Sequence, residues 1–209
     1  MRKISYGVAL IAVLFTLILN LFSTLRADWL VVQDPDIPAT IHYGLMQRCE
    51  RRILSIPDSP LKYTDYKCRP FPARILDACD KENKGFCVSW VTAGYFTELS
   101  IGFAVVASLA IVFGVSTHSR RRRIWRVVAA FVAIHAALQL TTFSIVTNLY
   151  RRSRFPAFEH AHPGTAYILN TLSWVLAVLV TVGVTITGIS ANRGHRWAAG
   201  NRAYQPIEG

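Results

Sequence analysis

Acidic side chains are scarce: 12 Asp and Glu stand against 23 Lys and Arg in 209 residues, a formal charge of +11, and only 17% of the chain is charged. With 52% hydrophobic residues beside so little charge, a disordered or collagen-like chain is excluded. Asp, Glu, Lys and Arg are missing altogether from residues 4–25, 99–119, 127–150 and 163–192, runs of 22, 21, 24 and 30 residues. Each exceeds the roughly 18 to 20 residues that cross a bilayer as a helix. The runs hold 97 residues, so charge is confined between them, and a soluble nucleic-acid-binding reading of the +11 fails. There is no CxxC pair, no Asn-x-Ser/Thr acceptor and no internal repeat. Without CxxC, and with successive cysteines 19, 11 and 8 residues apart, a zinc site or a membrane thiol oxidoreductase is disfavoured.

Residues 4–25 follow Arg2 and Lys3, as a secretory signal would. A signal core is about 7 to 15 residues with a small residue near its cleavage site, whereas this run is longer and ends on Leu25, so an uncleaved first helix is expected. Spans are placed at about 4–25, 94–118, 124–150 and 165–191, which puts both termini on one side. That side is flanked by Arg2, Lys3, Arg120, Arg121, Arg122, Arg123, Arg126, Arg193, Arg196 and Arg202, against Arg151, Arg152 and Arg154 opposite. The positive-inside rule therefore predicts cytoplasmic N- and C-termini and a cytoplasmic tail at 192–209. An integral protein, with the plasma membrane as its location, is the expectation. Arg120 to Arg123 with Arg126 face an anionic leaflet, where each charge contributes about 1 kcal/mol.

Residues 26–93 then form a long outside loop whose ten Lys/Arg and nine Asp/Glu nearly cancel. It contains all four cysteines, Cys49, Cys68, Cys79 and Cys87, which implies an oxidising exterior and two disulfides, with three pairings open. Ile41, Tyr43 and Leu45 alternate with polar or small neighbours, as do Leu61, Tyr63 and Asp65, so two strands are expected there. Pro35, Pro38, Pro57, Pro60, Pro70 and Pro72 punctuate the loop, and residues 73–79 are read as a short helical segment. The remaining loops, 118–123 inside and 151–162 outside, are short. In the spans, small or polar residues recur every fourth position: Ala12, Thr16 and Asn20; Ser100, Ala104 and Ser108; Ala129, Ala133, Ala137 and Thr141; Ser173, Ala177, Thr181 and Thr185. Lipid supplies no hydrophobic drive between helices, so such stripes predict a close-packed bundle.

Trp29, then Gly44, Leu45, Met46 and Cys49, then Cys68, in the first outside loop of a four-span chain, resemble the W, GLW-x-x-C, C signature of the claudin and peripheral myelin protein superfamily. Met46 stands where that family has a second Trp, the gap from Cys49 to Cys68 is longer than in claudins, and Cys79 and Cys87 are additional. The likeness is to a divergent branch, such as the four-span claudin-related proteins of fungal plasma membranes. It implies an all-α membrane fold, a left-handed four-helix bundle capped by a small disulfide-stapled extracellular β-sheet. It also implies that Cys49 pairs with Cys68; the expected second bond is Cys79 with Cys87. Family members organise membranes, make lateral or cell-cell contacts, or serve as accessory subunits, and are not enzymes.

Within the spans, Glu98 lies 22 residues before Arg120, Asn148 lies 25 after Arg123, and Asn170 lies 22 before Asn192. At about 1.5 Å per residue the three fall within about 5 Å of one level, so a polar layer near the outer surface is expected. His135, Gln139 and Thr142 form a stripe on the third span, suited to interhelical hydrogen bonds. The close spacing of Glu159, His160 and His162 is by itself a weak signal for zinc, and the three are read as solvated. Tyr204-Gln205-Pro206-Ile207 has the form of a tyrosine-based sorting motif. The expectation is a non-enzymatic contact protein without cofactor or metal, whose partners are the lipid bilayer and other membrane proteins or a second copy, and no nucleic acid. The alternative is a small transporter or channel, or an accessory subunit of one, using the intramembrane polar residues.

Overall fold

A computed structural model describes residues 3–33, 39–54, 62–115, 118–152 and 155–199. Arg2, Pro35, Pro38, Pro57, Pro60, Leu61, Arg154, Arg202 and the Tyr204–Ile207 tetrapeptide lie outside the described residues. Four helices are long and apolar enough to cross a membrane: α1 (Lys3–Leu25), α2 (Lys84–Val115), α3 (His118–Arg151) and α4 (Thr165–Asn192). A one-turn helix α5 (Arg196–Ala199) follows. The charge-free runs account for the helices, because a backbone in hydrocarbon must satisfy its own hydrogen bonds. Their outward side chains are apolar too: Ile11 is 71% exposed and Leu179 61%. A surface of that kind suits lipid and not water.

The chain divides into two compact units. The first, residues 1–18, 99–138 and 172–209, holds parts of all four long helices around one core. Tyr6 and Val13 of α1, Ile111 of α2, Val128 and Val132 of α3 and Val184 of α4 are buried there together. Three of the small-residue stripes do face inward: Thr16, Ser100, Ala104, Ser173 and Ala177 are all buried. Of the stripe on α3 Ala129 is buried, whereas Ala133, Ala137 and Thr141 are exposed. His135 and Gln139 take the inward face of α3 instead, because a polar side chain aimed at lipid loses every partner that the interior offers.

The second unit, residues 19–98 and 139–171, carries the sheet. Its strands are β1 (Leu30–Gln33), β2 (Ala39–Tyr43), β3 (Gln47–Leu54), β4 (Lys62–Tyr63), β5 (Lys67–Pro70) and β6 (Ala161–Pro163), all paired antiparallel. The order is β4-β3-β2-β1-β6, with β5 also on β3. The strand expected around 61–65 shrinks to β4, while β1, β3, β5 and β6 form without clear alternation; β6 draws the short second loop into the sheet. Residues 73–83 are hydrogen-bonded turns, interrupted by Ala78 at φ 51°. Helix α2 begins at Lys84, ten residues before the expected span. Residues 118–123 lie within α3 and not in a loop, because four consecutive arginines are good helix formers; their side chains lie outside the described set.

Candidate functional site

Register sorts the sheet into two faces, since paired residues in an antiparallel ladder share a side. One row runs Pro163, Leu30, Tyr43, Arg48, Arg69, and the next on that face runs Ala161, Val32, Ile41, Glu50, Lys67. Leu30, Val32 and Tyr43 join a buried cluster with Phe86, Trp90 and Ala93 of α2, Val146 and Leu149 of α3, and Ala166 of α4. The face thus sits on helix ends across β1 and β2, and changes from apolar to charged between β2 and β3.

Trp29, Gly44, Leu45, Cys49 and Cys68 hold this arrangement. Trp29 is fully buried; its indole N–H donates to the Ser23 carbonyl at 2.8 Å, and its backbone bonds β2 and Gly164. Gly44 approaches the chain at Ala27 so closely that an added Cβ would meet the Ala27 Cα at 2.7 Å and the Arg26 oxygen at 3.0 Å. Its own carbonyl accepts the Trp90 indole N–H at 3.2 Å. Leu45 is buried, whereas Met46 is 44% exposed. Cys49 and Cys68 are bonded across β3 and β5, and Cys79 is bonded to Cys87 in the first turn of α2.

Sequence reasoning missed the aromatic cluster and two ion pairs. Phe71, Phe86, Trp90, Phe155 and Phe158 contact one another at centroid distances of 4.5 to 6.1 Å. Arg69 grips Asp77 with two hydrogen bonds of 2.8 and 2.7 Å, and the same carboxylate accepts the Ala73 N–H at 2.6 Å. Burial pushes the Asp77 carboxyl up, but the Arg69 and Ala73 hydrogen bonds with the Arg69 charge outweigh it and hold it below the usual carboxylate range. Arg26 and Asp28 form a second bidentate pair at 2.9 and 2.7 Å. There too burial raises the Asp28 pKa while the Arg26 hydrogen bonds and charge prevail and lower it. Burial lowers the pKa of His42, whose ring packs on Tyr66 at 5.1 Å.

The Arg69–Asp77 pair, the Asn83 amide bond to the Asp77 carbonyl at 2.9 Å and the Cys79–Cys87 bond lock the turn at 73–83. At its tip Ile75 is 88% exposed and Leu76 75%. Arg74 and Asp80 pair beside them at 2.8 Å.

The expected polar layer does not assemble. Glu98 and Asn148 are exposed, while Asn170 is fully buried. On α2 it is Thr97 that faces inward: its hydroxyl lies 3.0 Å from the Ala93 carbonyl and 3.1 Å from the Thr142 hydroxyl, which itself donates to Ala93 at 3.1 Å. One residue turns a helix by 100°, so residues at the right depth can point to opposite sides. The stripe on α3 does bond between helices, because the His135 ring N–H donates to the Ser100 carbonyl at 2.8 Å. Gln139 is fully buried, and the Asn170 amide is buried with no hydrogen-bond partner among the described residues. Arg126 is exposed, its guanidinium over Trp125 at 5.5 Å. Glu159, His160 and His162 are exposed, and the described residues contain no group of three potential metal ligands.

No protein-family model and no curated protein matches the chain.

Proposed function

We propose that this is a non-enzymatic, claudin-like integral membrane protein that organises membrane or cell-cell contacts through its first outside loop, with both termini in the cytoplasm. The observation that carries this reading is the pair Ile75 and Leu76, displayed on a turn that an ion pair and a disulfide hold in one shape. Burying an aliphatic side chain of that size contributes about 1.5 to 3 kcal/mol, and a rigid turn loses little entropy on docking. The partner is another membrane protein or a second copy, already confined to the bilayer.

A photoreactive amino acid replacing Leu76 tests this in intact cells. Crosslinks to defined membrane neighbours are expected, and loss of the same neighbours from proximity labelling in Ile75→Asp/Leu76→Asp protein whose disulfides are intact. Unchanged neighbours in the double variant would overturn the reading. The transporter alternative is favoured by the buried amide of Asn170, which has no hydrogen-bond partner among the described residues. Ion or solute uptake by reconstituted vesicles that Asn170→Leu abolishes would establish it in place of the contact role.

A further inference from the structure

The face of the sheet that covers the helix ends continues past them. In the row Leu30, Tyr43, Arg48, Arg69 the first two are core and the last two are charged; the next row ends Glu50, Lys67, and Arg52 lies beyond. Arg48, Glu50, Arg52, Lys67 and Arg69, with Thr64, line an open groove of about 360 Å³. Arg48 is stacked over Tyr43 at 5.2 Å and Arg69 over Phe71 at 5.9 Å, so the inner cations are fixed by core aromatics.

Charge in the groove is not balanced. Glu50 pairs with Arg48 at 3.6 Å and with Arg52 at 3.0 Å, and Asp77 takes Arg69. Four cations meet two carboxylates, and Lys67 has no ion pair among the described residues. Because this face also sits on the ends of membrane-spanning helices, the charged half looks the same way, toward the bilayer surface. Glu98 marks that surface on α2, since an exposed carboxylate belongs with headgroups and not with hydrocarbon. Trp90, which touches the sheet through Gly44, precedes Glu98 by eight residues, about 12 Å of helix. Headgroups add about 5 to 7 Å to each side of the hydrocarbon core, which a long Arg or Lys side chain from the sheet spans.

We propose that this groove binds the phosphate of an anionic phospholipid headgroup in the adjacent leaflet, so that the sheet is held down on the membrane by a lipid. Two surplus positive charges more than balance the single negative charge of one headgroup phosphodiester, and guanidinium forks match its oxygens. Lys67 and Arg52 are the exposed jaws; Arg48 and Arg69 form the fixed floor.

Native mass spectrometry of the full chain in detergent, titrated with phosphatidylglycerol, phosphatidylcholine and inorganic phosphate, is the test. One phosphatidylglycerol per chain is expected, with phosphatidylcholine weaker and millimolar inorganic phosphate unable to displace the lipid. Lys67→Gln/Arg52→Gln should weaken the lipid about 30-fold, roughly fivefold per cation lost, while Lys67→Arg keeps it. Both positions are exposed, and unchanged disulfide connectivity and melting temperature show that the variant folds. Lys67→Glu alone should weaken binding at least as much as Lys67→Gln. Equal binding by wild type and double variant, displacement by inorganic phosphate at equal concentration, or displacement by an acidic peptide would each overturn the proposal.

Discussion

Replacing Asp77 by Asn removes the charge that locks the turn while keeping its shape. The wild-type carboxylate accepts three hydrogen bonds, two from Arg69 and one from Ala73, and its side chain is only 2% exposed. An amide keeps one acceptor and turns a donor toward Arg69. Hydrogen bonds to charged groups contribute about 1.5 to 3 kcal/mol each, and loss of one partner of a buried pair costs about 3 to 5 kcal/mol. Arg69 is 28% exposed and recovers some water, so a net cost of about 2 to 3 kcal/mol is expected. This is an opening of one turn and not of the whole molecule, so amide hydrogen exchange at Asp77, Ala78, Cys79, Lys81 and Asn83, all bonded within the turn, is the assay. Their protection should fall about 30- to 150-fold. Asp80→Asn is the control, because the Arg74–Asp80 pair is 81% and 57% exposed and contributes at most about 1 kcal/mol, about fivefold. The depressed folded pKa of Asp77 gives the pH dependence: its stabilisation is complete above the unfolded value near 4 and is lost as pH falls through the lower folded value. Equal protection loss in both variants, or protection of the wild-type turn that rises on acidification, would refute the reasoning.

Gly44→Ala should lower the melting temperature by an amount corresponding to about 1 to 3 kcal/mol, because its Cβ would meet backbone and not a flexible side chain; Gly85→Ala, with open space around it, should not. Asn170→Leu should raise thermal stability, by up to about 1 to 3 kcal/mol, by removing a buried amide that has no partner among the described residues, and a fall in melting temperature would count against that account. Since the native cysteines are all bonded, a single added thiol reports orientation: Asp65→Cys should react with an impermeant maleimide in intact cells and His195→Cys should not, and the reverse pattern would invert the topology.

The four charge-free runs determine four long apolar helices by themselves, because in hydrocarbon length and composition leave the backbone one way to satisfy its hydrogen bonds. The segregation of four cysteines into one loop likewise marks a disulfide-stapled region, and the two bonds join the expected partners. Strand β2 was readable from the alternation of Ile41 and Tyr43 with His42, although burial along it does not alternate: Ala39, Thr40 and Tyr43 are buried, and Ile41 and His42 are both half-buried. Strand β3 was not, since Arg48, Glu50 and Arg52 occupy the face that elsewhere in the sheet is core; alternation vanishes where a sheet extends beyond what covers it. Depth along a span follows from a fixed rise per residue, but rotation does not, and so Thr97 and not Glu98 faces inward. Phe71, Phe86, Phe155 and Phe158 come from three separate segments, and Arg69 meets Asp77 only through a turn. Such contacts depend on how elements meet in three dimensions, which local periodicity does not encode; only the tertiary structure decided them.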